Sequence, residues 1–105
     1  MRKHEAVMNI QKMMQQAQAM QNKMQAELAA LKVEASAGGG MVVIEMSGTK
    51  EILSVRIDPA AVDPQDVETL QDLVLAASRE ASRRVEEAAQ KKTSSLLSGM
   101  MPGIR

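Results

Sequence analysis

The sequence predicts an α+β fold in which a long N-terminal helix, a three-stranded antiparallel meander and a long C-terminal helix follow one another. Three observations indicate this order. Apolar residues recur at helical spacing near both ends of the chain, they alternate with polar residues in the middle, and glycine or proline marks each change of period. Because the chain has 105 residues, we expect one domain over residues 1–93 and a flexible tail over residues 94–105.

The first helix is expected over about residues 5–31, which are rich in Met, Gln and Ala and contain no Gly or Pro. Steps of seven residues from Val7 and from Ile10 fall mostly on apolar side chains and define a stripe along one face. A helix of this length is about 40 Å long, which exceeds the width of a compact domain of this size. Part of the stripe therefore needs another surface, and a second copy of the chain is the simplest one.

Three strands are expected within about residues 32–57, where apolar and polar residues alternate. The three glycines at 38–40 permit a tight reversal, and residues 47–50 form the second turn. We expect the core to lie between the sheet and the second helix and to comprise Leu53, Val55, Ile57, Leu70 and Val74.

The opposite face of the sheet is also partly apolar, which indicates that the sheet is covered on more than one side. Together with the stripe of the first helix, this apolar surface predicts a homodimer. The predicted dimer interface comprises Val7, Ile10, Met14, Met24, Met41 and Val43.

The second helix is expected over about residues 64–92. Asp63 is the predicted N-cap and Pro64 the first helical residue, since proline lacks the N–H that the first turn leaves unbonded. Apolar residues recur at helical spacing from Val67 to Ala88 and form the face that should be buried. Ser, Gly and Pro are frequent after Lys92, which predicts the end of the helix.

The composition excludes several classes of function. The chain has no Cys, Phe, Tyr or Trp and one His, so it lacks thiolate chemistry, zinc knuckles and the aromatic platforms of single-strand binders. Asp58, Asp63 and Asp66 are better explained as caps and turns than as cation ligands. We therefore expect no enzyme, no cofactor and no small-molecule substrate. No apolar run is long enough to cross a membrane, which favours a cytoplasmic protein.

Charge is distributed unevenly although the net charge is zero. Residues 1–32 carry five Lys/Arg against two Asp/Glu, and residues 79–105 carry six against three, so each region has a net charge of +3. Residues 61–78 carry four acidic residues and no basic ones. Two basic helical regions in one chain are suited to following the phosphates of a polyanion.

Several motifs occur together in an order that resembles the YbaB/EbfC family of bacterial nucleoid-associated proteins. They are the Met- and Gln-rich first helix, Gly38-Gly39-Gly40-Met41-Val42, Val55-Arg56-Ile57-Asp58-Pro59, Leu70-Gln71-Asp72-Leu73-Val74 and Ala81-Ser82-Arg83-Arg84-Val85-Glu86-Glu87. The resemblance covers nearly the whole chain. It implies a tweezers-like homodimer that binds double-stranded DNA in the nucleoid. Val43 and Ser78 depart from the family pattern, which often has Lys and an aromatic residue there.

The hypothesis is therefore a homodimer that binds duplex DNA mainly through phosphate contacts, alters or protects the DNA, and thereby influences gene expression. Glu86 and Glu87 should weaken a DNA-binding surface. For any single basic residue, a role in keeping the protein soluble explains its presence as well as a role in DNA binding does. The alternative hypothesis is a dimeric protein-interaction module whose Met-rich arms grip a partner helix. The candidate DNA-binding residues are Arg2, Lys3, Lys12, Lys23, Arg79, Arg83, Arg84 and Lys91.

Overall fold

The computed structural model describes the backbone of residues 3–100 and the side chains of residues 9–99. It confirms the α+β fold and its element order. A short 3-10 turn at Pro59–Ala61 separates the sheet from the last helix. The elements are α1 (Lys3–Ala30), β1 (Lys32–Ala37), β2 (Val42–Ser47), β3 (Ile52–Ile57) and α2 (Val67–Met100).

The sheet is an antiparallel meander in the order β1-β2-β3. Ile44 of β2 lies opposite Ala35 of β1 and Val55 of β3. The β1–β2 reversal needs the glycines because all three of them have positive φ values, from 65° to 96°. A bulge shifts the β2–β3 register next to Met46. The alternation of the sequence did not predict this bulge.

The core lies where α2 packs across β1 and β2. Alanines at the centre of the buried face of α2 let its backbone approach the sheet closely, and Leu70, Leu73 and Val74 pack at one end of this contact. The buried apolar side chains of the described residues are those of Ala35, Val42, Ile44, Met46, Ala77, Ala81 and Val85.

The predicted contribution of β3 to this core is wrong. Leu53, Val55 and Ile57 are 40%, 48% and 40% exposed. The physical reason is that β3 is an edge strand and α2 covers the other two strands. Alternation in a sequence shows which face of a strand is apolar, but it does not show which strands a helix covers.

The start of α2 differs from the prediction by one turn. The N-cap is Asp66, whose Oδ2 accepts a hydrogen bond of 2.6 Å from the Thr69 hydroxyl, and the first helical residue is Val67. The Asp63 carboxylate instead accepts from the Gln65 backbone N–H at 2.9 Å, and the Asp63 carbonyl accepts from the Asp66 N–H. These bonds close a separate turn before the helix.

The end of α2 also differs from the prediction, because the helix continues to Met100 and includes residues 94–100 of the predicted tail. Contact with α1 explains this extension. Lys92 Nζ lies 3.1 Å from Glu27 Oε2, and both Lys92 and Leu96, one turn later, are half-buried. Residues 101–105 of the predicted tail lie outside the described residues.

The helix α1 is held at its C-terminal end and projects from the rest of the molecule. Gly48 N–H donates a 2.9 Å hydrogen bond to the Leu31 carbonyl, which joins the end of α1 to the β2–β3 turn. Residues 9–19 are exposed throughout, whereas Met20, Met24 and Leu28 are half-buried. The molecule accordingly measures 77 × 27 × 16 Å.

Candidate nucleic-acid interface

Arg83 is bound by two carboxylates of its own helix. Its Nε and Nη2 donate to the two oxygens of Glu80 at 3.1 and 2.7 Å, and its Nη1 donates to Glu87 at 3.1 Å. These spacings of three and four residues bring side chains together on a helix surface. Arg83 is therefore exposed to solvent but already paired on two sides.

Arg84 has different partners and reaches the edge of the sheet. Its Nε donates to Glu80 at 3.1 Å, and its Nη1 donates to the Glu34 carbonyl of β1 at 2.8 Å. The second bond satisfies a backbone acceptor on an edge strand. Arg84 is thus fixed between α2 and β1, while its side chain remains half exposed.

The carboxyl group of Glu80, which both arginines contact, has a lowered pKa. Hydrogen bonds from Arg83, followed by those from Arg84, lower the pKa of Glu80 from its ordinary 4.5 to about 2. The same pairing raises the pKa of the Arg83 guanidinium further above its usual range. Glu80 therefore remains ionised at neutral pH.

We expect a pH titration of the Glu80 side-chain carboxyl, followed by carbon NMR, to have a midpoint near 2. Because folding lowers this pKa, ionised Glu80 stabilises the fold above pH 4.5, and this contribution disappears as the pH falls toward 2. Arg83→Gln should move the midpoint back up. A midpoint of 4.5 in the unaltered protein would contradict the pairing.

The remaining candidates on α2 are less constrained. Lys91 Nζ lies 3.8 Å from Glu87, and Arg79 is exposed one turn before Arg83. An open groove runs between Arg83, Arg84 and Lys91. The structure therefore brings three of the four predicted α2 residues to one groove.

The candidates on α1 form a separate group. Lys12 and Lys23 are both exposed. They are eleven residues apart in the sequence, or about three turns, which places them on the same face of the helix about 16 Å from each other. Arg2 and the side chain of Lys3 lie outside the described residues.

The predicted dimer-interface residues differ widely in exposure. Ile10 and Met14 are 56% and 68% exposed, so nothing in the chain covers this part of the α1 stripe. Met24, Met41 and Val43 are half-buried within the chain. The Val7 side chain lies outside the described residues.

The predicted dimer interface does not include an exposed apolar surface along β3. Ile52 and Val55 are 50% and 48% exposed, and the apolar surface continues from Ile57 across Leu70, Val74 and Leu75 of α2. Ile52 and Val55 lie opposite Met46 and Ile44, so they share the face of the sheet that α2 covers, and their exposure follows from the path of α2 over the other two strands.

Among the side chains of residues 9–99, no group of three or more His, Cys, Asp or Glu is placed to hold a metal ion. Within residues 3–100, neither helix is long and apolar enough to cross a membrane. The acidic residues near the start of α2 cap turns and helices, as Asp58 does by accepting from the Ala60 N–H at 2.9 Å.

Comparison with known proteins decides the family. The model of the YbaB/EbfC DNA-binding family matches residues 6–100, which is nearly the whole chain. The chain belongs to this family. A nucleoid-associated protein of Alkaliphilus metalliredigens is 48% identical over 100 residues, covering 91% of this chain and 88% of the relative. A second nucleoid-associated protein, from Koribacter versatilis, is 46% identical over 97 residues, covering 91% and 96%.

The fold of this YbaB/EbfC member also has a counterpart among solved structures. An uncharacterized protein from Helicobacter pylori superposes with a TM-score of 0.61 and covers 77% of this chain and 94% of the other. At 20% sequence identity, this likeness shows the shared fold alone. The family is one of nucleoid-associated DNA-binding proteins and is not an enzyme family.

Proposed function

We propose that this protein binds double-stranded DNA as a homodimer, mainly through its phosphates. The observation that carries the proposal is the groove of α2 at which Arg83, Arg84 and Lys91 meet, in a chain of a DNA-binding family. Guanidinium groups suit phosphates because their donors match pairs of phosphate oxygens. Such contacts give affinity through counterion release and carry little information on base sequence.

The exposed surface of β3 supports the homodimer. An edge strand with unpaired backbone groups and apolar side chains invites association with another strand. Leu53, Val55 and Ile57 supply that apolar surface next to Leu75 of α2. A second copy that covers β3 would place two α1 helices and two α2 grooves in one particle.

The shape of the monomer suggests how DNA is contacted. Because α1 projects from the sheet and carries Lys12 and Lys23 on one face, two such arms in a dimer would bracket a duplex. Because phosphate contacts carry little information on base sequence, any sequence preference would come from DNA shape. The consequences would be bending or protection of DNA in the nucleoid and an influence on gene expression.

Alanine variants on the two helices test this arrangement. We expect Lys12→Ala, Lys23→Ala and Arg84→Ala each to weaken binding to unrelated duplexes by a similar factor, because phosphate contacts are independent of sequence. Binding is measured by fluorescence anisotropy at one fixed salt concentration. Lys32→Ala is the control, since it removes the same charge from the exposed start of β1.

The pattern of losses locates the duplex. If variants on both helices lose more affinity for DNA than the Lys32→Ala control does, the result supports a duplex held between the two α1 arms. Losses confined to α2 would contradict contact with the arms. Equal losses in all variants, including the control, would show a general effect of net charge and no defined surface.

The alternative, a protein-interaction module, has one observation in its favour. An apolar groove follows α1 between Gln16 and Leu28 and includes Met20 and Met24. Flexible methionines suit grooves that accept helices. An unaltered dimer that ignores duplex DNA at low salt would favour this alternative over the DNA-binding proposal.

A further inference from the structure

The cations of the α2 groove are partly neutralised by carboxylates of the same helix. Of the five N–H donors of a guanidinium, Arg83 uses three, two toward Glu80 and one toward Glu87. Glu87 also lies within 3.8 Å of Lys91. A phosphate that approaches Arg83 would therefore meet a group whose charge is already matched on two sides.

Arg84 is more available than Arg83. It uses one donor toward Glu80 and one toward the neutral Glu34 carbonyl, so three of its five donors have no partner within the described residues. Both of its bonds also fix the direction of the side chain. The two neighbouring arginines thus differ in the way they can meet a phosphate.

We propose that Glu87 and Glu80 set the affinity of the protein for DNA by competing with phosphate for Arg83 and Lys91. This inference rests on the proposed function and deepens it. In the free protein, the two carboxylates occupy three donors of Arg83 that a phosphate would use, and Glu87 offsets the charge of Lys91 from 3.8 Å. Arg84 makes the first phosphate contact, and Arg83 and Lys91 engage only when a carboxylate is displaced.

A phosphate can displace these carboxylates reversibly, because an ion pair exposed to solvent contributes little free energy. Glu80 competes with phosphate at neutral pH, since its lowered pKa keeps the carboxylate ionised there. The pairs would therefore reduce affinity without blocking binding.

Glu87 gives a cleaner test than Glu80. Glu80 holds Arg83 and also orients Arg84, so Glu80→Gln would both release one arginine and loosen the other. Glu87 contacts only Arg83 and Lys91 among the described ion pairs. Glu87→Gln keeps the shape of the side chain and removes its charge.

The experiment measures the affinity of full-length protein for one duplex at several salt concentrations. We expect Glu87→Gln to bind about two- to fivefold more tightly than the unaltered protein. The slope of log affinity against log salt should also steepen by about 0.9 for each cation released in each protomer. Glu68→Gln is the matched control, because it removes an exposed charge from the first turn of α2. It should leave the slope unchanged.

A double-mutant cycle adds a readout that net charge does not change. Arg83→Ala should weaken binding only slightly in the unaltered protein and several-fold more in the Glu87→Gln background, because only there is the Arg83 Nη1 released from Glu87 and able to donate to phosphate. Circular dichroism and light scattering check that each variant keeps its fold and mass.

The outcomes separate the two proposals. If the unaltered protein binds no duplex, the proposed function fails. If it binds, but Glu87→Gln matches Glu68→Gln in affinity and slope, the competition is refuted while the proposed function stands. Additive effects of Arg83→Ala and Glu87→Gln would likewise refute it.

Discussion

Gly48→Ala is expected to destabilise the protein by about 3 kcal/mol or more. A Cβ at this position would lie 2.2 Å from the Leu28 carbonyl oxygen and 3.1 Å from the Leu31 Cβ. The first contact is with backbone, so no change of side-chain rotamer relieves it. Moving the turn away would also break the hydrogen bond from the Gly48 N–H to the Leu31 carbonyl, which joins α1 to the sheet.

Thermal unfolding followed by circular dichroism measures this effect. For a domain of this size, a loss of about 3 kcal/mol lowers the melting temperature by roughly 12–24 °C. Gly99→Ala is the control, because a Cβ there meets nothing within 4 Å and the residue is helical. The protein concentration must be equal in all samples, since dimerisation would stabilise the fold. An unchanged melting temperature for Gly48→Ala would contradict the close contact.

Val55→Lys is expected to convert a dimer into a monomer. Val55 is 48% exposed at the centre of β3, so a lysine there can extend into water in the isolated chain. In a dimer that covers β3, the same ammonium group would be buried without a partner. The cost is about 3 kcal/mol or more, which weakens dimerisation more than a hundredfold.

The neighbouring residue provides the control for this prediction. Ser54 points to the opposite face of the same strand, so Ser54→Lys adds the same charge without entering the apolar surface. Light scattering should give a mass near 11.4 kDa for Val55→Lys and near twice that value for Ser54→Lys. A Val55→Lys variant that stays dimeric would place the interface elsewhere, with the α1 stripe as the next candidate.

The spacing of apolar residues predicted the helices and strands, because this spacing reflects the local geometry of each element. Val42, Ile44 and Met46 are buried, as alternation in β2 indicated, and Ala77 and Ala81 are buried as the helical spacing of α2 indicated. Burial of β3 could not be predicted in the same way. It depends on the path of α2 over the sheet, which is a tertiary property.

The helix ends show a similar limit. The interpretation of Asp63-Pro64 as a helix start applied a valid local rule, yet Asp66 one turn later satisfies the rule with a better set of bonds. The continuation of α2 through Ser94 and Ser95 depends on contact with α1, which Lys92 makes by pairing with Glu27. Local composition alone therefore ended the helix too early.

The candidate site was predictable in part. Glu80, Arg83 and Glu87 are spaced by three and four residues, so their pairing follows from helix geometry. The bond from Arg84 to the Glu34 carbonyl joins residues 50 positions apart, and no local pattern indicates it. Counting charges thus found the basic region, but it could not show which carboxylate or carbonyl each arginine contacts.

The slope of log affinity against log salt, measured for the unaltered protein on a duplex, tests the central claim most directly. We expect a straight line with a negative slope of about 0.9 for each phosphate that the dimer neutralises. Two engaged cations in each protomer already correspond to a slope of about −3.6. Duplexes of unrelated sequence should give the same slope. Absence of binding at low salt, or an affinity that salt does not change, would contradict the claim that this protein holds DNA through its phosphates.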